Sequence, residues 1–134
     1  MDRIRGGAST RGSESLWVEP AAGRIGSRSV RVTRRDATAV GPGRAIGFAT
    51  IFWTWSTLQA ARIGVMNDLF VTTEARGAGA ADALIEACAE RCRERGAVSL
   101  SWQTARDNRR AQAVYDRVGG RRSEWLDYSL DTGS

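Results

Sequence analysis

The chain has 134 residues, 42% of them apolar, and a formal charge of +5. That is the size of one domain with a core of its own, and no apolar run is long enough to span a bilayer. Histidine is absent and all twenty basic residues are arginine, which excludes a His-based triad, a His-ligated metal, a Walker lysine and a Schiff-base lysine.

Proton transfer is therefore left to Tyr, Cys, Asp, Glu, water or a substrate. The positive charge is confined to one third of the chain. Residues 1–44 hold nine Arg against four acids, whereas residues 45–134 hold eleven of each. Residues 1–16 are rich in Gly, Ser and Arg and are expected to be disordered. The opening Met1-Asp-Arg-Ile-Arg-Gly-Gly has no hydrophobic signal region, so a cytoplasmic protein is expected. Nucleic-acid binding by this basic tail is one alternative function, but its arginines are scattered and lack interleaved aromatics, the pattern of a solvated tail.

Leu16-Trp17-Val18 is a short apolar cluster closed by Pro20. Ser29-Val-Arg-Val-Thr33 alternates like an edge strand, and Gly41-Pro42-Gly43 reads as a turn. From Ile46 to Trp55 the chain is apolar on both faces, as in a central strand. Residues 56–62 form a hairpin connection, and residues 63–71 return antiparallel. Small residues then open a helix over 79–95, with Leu84, Ile85, Cys88 and Cys92 on one stripe and Glu86, Glu90, Arg93 and Glu94 facing water. Gly96 suits its end. Cys88 and Cys92, one turn apart, read as small apolar core residues and not as a metal or disulfide pair.

Residues 98–104 alternate as another strand, and Asp107 or Asn108 can cap a helix running to about Val118. Glu124 to Leu130 predicts a final strand. The strand, helix, strand order over 63–104 predicts a crossover that leaves its two strands parallel. The expected class is α/β, a mixed α+β domain with a mixed central sheet and helices packed on it.

Two stretches carry chemistry. Asp68-Leu-Phe-Val71 followed by Arg76-Gly-Ala-Gly-Ala-Ala81 is a strand, a turn of small residues and a helix start. Such a turn lets a ligand approach the backbone, and free first-turn N–H groups attract phosphate oxygens. Asn108, Ala111 and Tyr115 share one face of the later helix. Gly77-x-Gly79 is also part of a dinucleotide fingerprint, but Asp82 stands where the third Gly belongs.

Arg76-x-x-Gly79-x-Ala81, with Asn108-x-x-Ala111-x-x-x-Tyr115-x-x-x-Gly119 downstream, resembles the GCN5-related N-acetyltransferase (GNAT) superfamily over roughly residues 45–131. Within it, Asp68 after Asn67 and the Trp53 to Ser56 stretch resemble the diamine and polyamine acetyltransferase subgroup. The resemblance implies acetyl-CoA as co-substrate and direct attack by a primary amine. It implies cofactor contacts at Leu69, Phe70, Val71, Arg76, Gly77, Ala78, Gly79, Ala80, Ala81, Asn108 and Ala111. Arg76 adds charge or only orients the turn. Tyr115 is implied as the acid that protonates the leaving thiolate. Asp68 is either the base or the partner in a structural hydrogen bond, and Asn67 and Trp55 are candidate acceptor contacts. Trp102 and Trp125 read as core or dimer-interface residues. Relatives often dimerise, so a small amine acceptor and a homodimer are the expected partners.

The first third departs from that family, which usually opens with a strand and two amphipathic helices. No helical apolar period is found there. A division into a basic segment, 1–44, and an acetyl-CoA-binding core, 45–134, is expected, with the N-terminal helices missing. The same gap raises a second alternative, a fold that holds acyl-CoA without turnover.

Overall fold

The computed structural model describes residues 12–20, 30–35, 46–73 and 79–133. Five strands and two helices follow in the order β1 (Ser13–Pro20), β2 (Val30–Arg35), β3 (Gly47–Ser56), β4 (Ala61–Val71), α1 (Ala80–Glu94), β5 (Leu100–Ser101) and α2 (Arg109–Arg117). The strands form one sheet in the order β2-β1-β3-β4-β5. It is mixed: β1 runs antiparallel to β2 and β3, β3 is antiparallel to β4, and β4 is parallel to β5. This is the expected mixed fold with β3 central, and β2 falls on the edge as its alternation predicts.

Among the described residues no helix precedes β3. The sheet nevertheless runs across the boundary expected at 44/45, because Leu16 pairs with Ala49 and Trp17 with Phe48. Ser13 to Leu16, expected to lack structure, belong to β1. Leu16 and Val18 are buried, and burying each contributes ~1.5–3 kcal/mol. The bulk composition of residues 1–16 hid this local alternation. Residues 1–11 and the turn at Gly41-Pro42-Gly43 lie outside the described residues.

One sheet face carries Leu16, Val18, Ala49, Ile51 and Met66, and α1 covers it with Leu84, Ile85 and Cys88. The approach is close at Gly64, where a Cβ would stand 2.6 Å from Cys92 Sγ. The opposite face carries an aromatic row, with Phe48 5.1 Å from Trp17 and 5.8 Å from Phe70 between ring centroids. Glu14 ties three elements together. It accepts from Trp53 Nε1 at 2.9 Å and from Arg91 Nε at 2.6 Å, joining β1 to β3 and α1.

Helix α1 ends in a paired-carbonyl motif: Ala97 N–H donates to Cys92 O at 2.8 Å and Gly96 N–H to Arg93 O at 3.1 Å. These bonds satisfy carbonyls the last turn leaves open. Two expectations fail further on. β5 covers two residues, not 98–104, because β4 leaves it after the Val65–Ser101 pair and a strand needs a partner. Residues 124–130 form no strand and are exposed.

Candidate functional site

The site begins at an irregularity in β4. Thr50 pairs with Asp68, but Ile51 pairs with Met66, so Asn67 is an extra residue in the ladder. A bulge of this kind bends a strand and redirects its side chains. Met66 stays on the α1 face while Asp68 turns to the aromatic face, where its Oδ2 accepts from Thr50 Oγ1 at 2.9 Å. Asp68 thus bonds Thr50 and also lines a cleft.

Beyond Gly64–Leu100 and Val65–Ser101, the β5 side of β4 has no strand partner. The strands part there around a cavity of about 280 Å³. One wall is Met66, Asn67, Asp68, Leu69 and Phe70 of β4, with Phe48 behind. The other is Trp102, Gln103, Thr104, Asn108 and Tyr115. Two segments far apart in sequence therefore meet across one opening.

Helix α2 presents Tyr115 because Asn108 starts the helix in register. The Asn108 side chain accepts from Ala111 N–H at 3.2 Å, a capping bond that satisfies an otherwise open donor. Tyr115 then meets the edge of Trp102, centroids 5.3 Å apart at 71°. Burial raises the Tyr115 phenol above its usual 10.0, so it keeps its proton through the neutral range.

At the other end of the cleft strand, Gly79 caps α1 at φ 81° without a side-chain capping bond. That left-handed geometry strains any residue with a Cβ. Asp82, in the first turn, is held by Arg117, Nη2 to Oδ1 at 2.7 Å. Arg76, Gly77 and Ala78 lie outside the described residues, so the junction is defined from Gly79, Ala80 and Ala81 onward.

The structure brings Asn67, Asp68, Leu69, Phe70, Asn108 and Tyr115 together at the cleft. Val71 pairs with Gly47 below it, and Ala111 and Trp55 are not among the lining residues. Trp55 stands near the β3–β4 turn, 65% exposed. Sequence reasoning did not assign Trp102, Gln103, Thr104, Met66 or Phe48 to a site. The available signal was positional: Trp102 to Thr104 occupy the end of the predicted strand that faces β4, where a parted pair must open.

The sequence profile of the acetyltransferase (GNAT) family matches residues 14–120. The chain belongs to that family, and its mixed sheet with helices packed on it matches the fold of solved relatives. The chain is similar to the uncharacterised N-acetyltransferase YhfO of Bacillus subtilis (strain 168), 36% identical over 91 residues, covering 68% of this chain and 56% of that one. It spans about half the length of the curated relatives it matches. The crystal structure of a probable acetyltransferase, 33% identical, superposes with a TM-score of 0.61 over 73% of this chain and 66% of its own. The aminoglycoside N-acetyltransferase AAC(6')-Iy, solved in complex with CoA, shares the fold at 22% identity, with a TM-score of 0.61 over 71% of this chain and 73% of its own. Family and fold agree in placing the chain among the GNAT-type acetyltransferase folds. Among the described residues no helix is long and apolar enough to cross a membrane.

Proposed function

We propose that the chain transfers an acetyl group from acetyl-CoA to a primary amine by direct attack of the amine on the thioester. The observation that carries this reading is the parting of β4 from β5 after Val65, beside a half-buried tyrosine that holds its proton. The unpartnered β4 edge from Met66 to Phe70 fits an amide-bearing arm that takes the place of a neighbouring strand. The open first turn at Gly79–Ala81, with Arg76, Gly77 and Ala78 before it, suits a diphosphate. The Asp82 charge, which opposes an anion there, is offset by Arg117. The solved relative that holds CoA supports the same donor.

In this reading Tyr115 gives its proton to the departing thiolate, and Asp68 takes the proton of the incoming ammonium group, directly or through a water. The Thr50 hydroxyl fixes the carboxylate while its other oxygen stays available. A positioned acid of this kind contributes ~10²–10⁴-fold. Asn67, exposed beside Asp68, meets the acceptor first. An acceptor long enough to reach the β3–β4 turn also meets Trp55, and such elongated diamines and polyamines are the finer class we favour. We place the reaction in the cytoplasm, with the small amine and not a nucleic acid as the acceptor.

A second reading, acyl-CoA binding without turnover, is favoured by one observation: among the described residues no helix precedes β3 to close the acceptor side. Calorimetry with acetyl-CoA, followed by a free-thiol assay over an amine panel, separates the two. Binding with amine-dependent thiol release supports transfer. Binding with no release from any amine supports the second reading, and no binding sinks both.

A further inference from the structure

The even charge balance of residues 45–134 hides a local excess. Residues 106–122 hold six Arg against two Asp. One Arg–Asp pair forms inside this stretch, Arg122 Nη2 to Asp116 Oδ2 at 3.1 Å, and Arg117 reaches across to Asp82 of α1. Among the described residues, the side chains of Arg106 and Arg109 have no ion pair or hydrogen bond. These two arginines, with Gln112, Ala113, Asp116 and Arg122, line a second cavity of about 420 Å³.

The cavity lies away from the cleft. At about 100° per residue, Arg109, Gln112, Ala113 and Asp116 share the face of α2 opposite Ala111, Val114 and Tyr115. The start of α1 is met from another side of the helix, by Arg117. The loop that carries Arg106 is fixed to the helix, because Gln112 Nε2 donates to Ala105 O at 3.1 Å and to Arg106 O at 2.8 Å. Arg122 is anchored by Asp116, and that bond uses one of its five N–H donors. Guanidinium groups from a loop, a helix and the segment after it therefore border one space, on a backbone set in advance. Such preorganisation lowers the ordering cost of binding.

Three guanidinium groups against one carboxylate leave the cavity positive. Guanidinium forks match phosphate oxygens in pairs. The volume falls within the ~300–1,000 Å³ of small-molecule sites, so a phosphate group leaves room for the body that bears it. Ala113 is the one apolar lining residue and none is aromatic, which gives a nucleic-acid base nothing to stack on. We propose that this cavity binds a small anion, a phosphate ester or diphosphate on a polar, non-aromatic body. Arg106 and Arg109 are its main contacts, and Arg122 is the third. The proposal rests on the fold and not on the acetyl-transfer reading.

Calorimetry with pyrophosphate as the probe tests it, on the full chain with and without saturating acetyl-CoA. The expected result is a saturable site that persists when acetyl-CoA is saturating. Arg106→Gln with Arg109→Gln should weaken that site roughly tenfold or more. Arg110→Gln with Arg121→Gln removes the same charge outside the cavity and should leave the site near its wild-type affinity. Both double variants should keep the far-ultraviolet spectrum, since none of the four side chains has an ion-pair partner among the described residues. No saturable binding, an unchanged or equal response in the two double variants, or displacement by acetyl-CoA overturns the proposal. So does steeply salt-dependent binding of duplex DNA without a pyrophosphate site. A chain that binds pyrophosphate in this way but no acetyl-CoA sinks the catalytic reading alone, and the reverse sinks this inference alone.

Discussion

Tyr115 combines two properties: it lines an open cleft, and burial raises its phenol pKa above the usual 10.0. A group that must deliver a proton works only while it holds one. Activity limited by this step should therefore persist through neutral pH and fall as pH rises past the ordinary tyrosine range, a sign checked by a pH profile of kcat. Tyr115→Phe should lower kcat ~10²–10⁴-fold with little change in acetyl-CoA affinity by calorimetry. Unchanged kcat would make Tyr115 a packing partner of Trp102 and nothing more. For Asp68→Asn, kcat/KM for the amine should fall while acetyl-CoA affinity holds. That Tyr115 and Asp68 would stand at one cleft was implied by the family resemblance, through the motif that starts at Asn108 and the place of Asp68 in its strand. The partnership of Thr50 with Asp68 was not, because it depends on a bulge that moves one residue out of register, and no local pattern announces a bulge.

At the scale of elements, the packing of α1 on β4 sets the stability. Gly64 admits the helix, and a Cβ there would stand 2.6 Å from Cys92 Sγ and 3.1 Å from the Trp53 ring. Gly64→Ala should cost ~1–3 kcal/mol, read as a lowered urea midpoint at unchanged slope. Cys88, buried in the same seam, has its thiol pushed up from 9.0 to about 12 by burial, then by Cys92 and Glu14. Because the folded value is the higher one, the unfolded chain releases this proton first as pH rises. The stability is complete below about pH 9 and is lost as pH climbs toward about 12. Cys88→Ala should flatten the decline of the urea midpoint above pH 9 relative to wild type, and an identical slope would contradict the assignment. Both helices and the central hairpin were legible because their apolar periods are long and their ends carry caps. The strand expected over 98–104 shrank to two residues for a reason its own alternation cannot encode: its neighbour turns away. That same failure opens the cleft.

At the scale of the molecule, one sheet spans from β2 to β5, and the basic first third contributes two of its five strands. Composition averaged over residues 1–16 concealed β1, since Ser13 to Ser15 look solvated until Glu14 is seen holding Trp53 and Arg91. Glu14→Ala leaves both partners without that carboxylate and should cost ~1–3 kcal/mol, measured by thermal or urea unfolding. The family was legible from two short motifs, whereas the strand carrying Leu16 and Val18 carries no motif. The central claim is that the gap between β4 and β5 seats the thioester arm against Tyr115. A crystal structure with acetyl-CoA tests it most directly. The account predicts the arm between Met66 to Phe70 and Trp102 to Thr104, with the thioester sulfur in hydrogen-bonding reach of the Tyr115 hydroxyl. A donor bound elsewhere on the sheet, or a sulfur beyond reach of that hydroxyl, would contradict it.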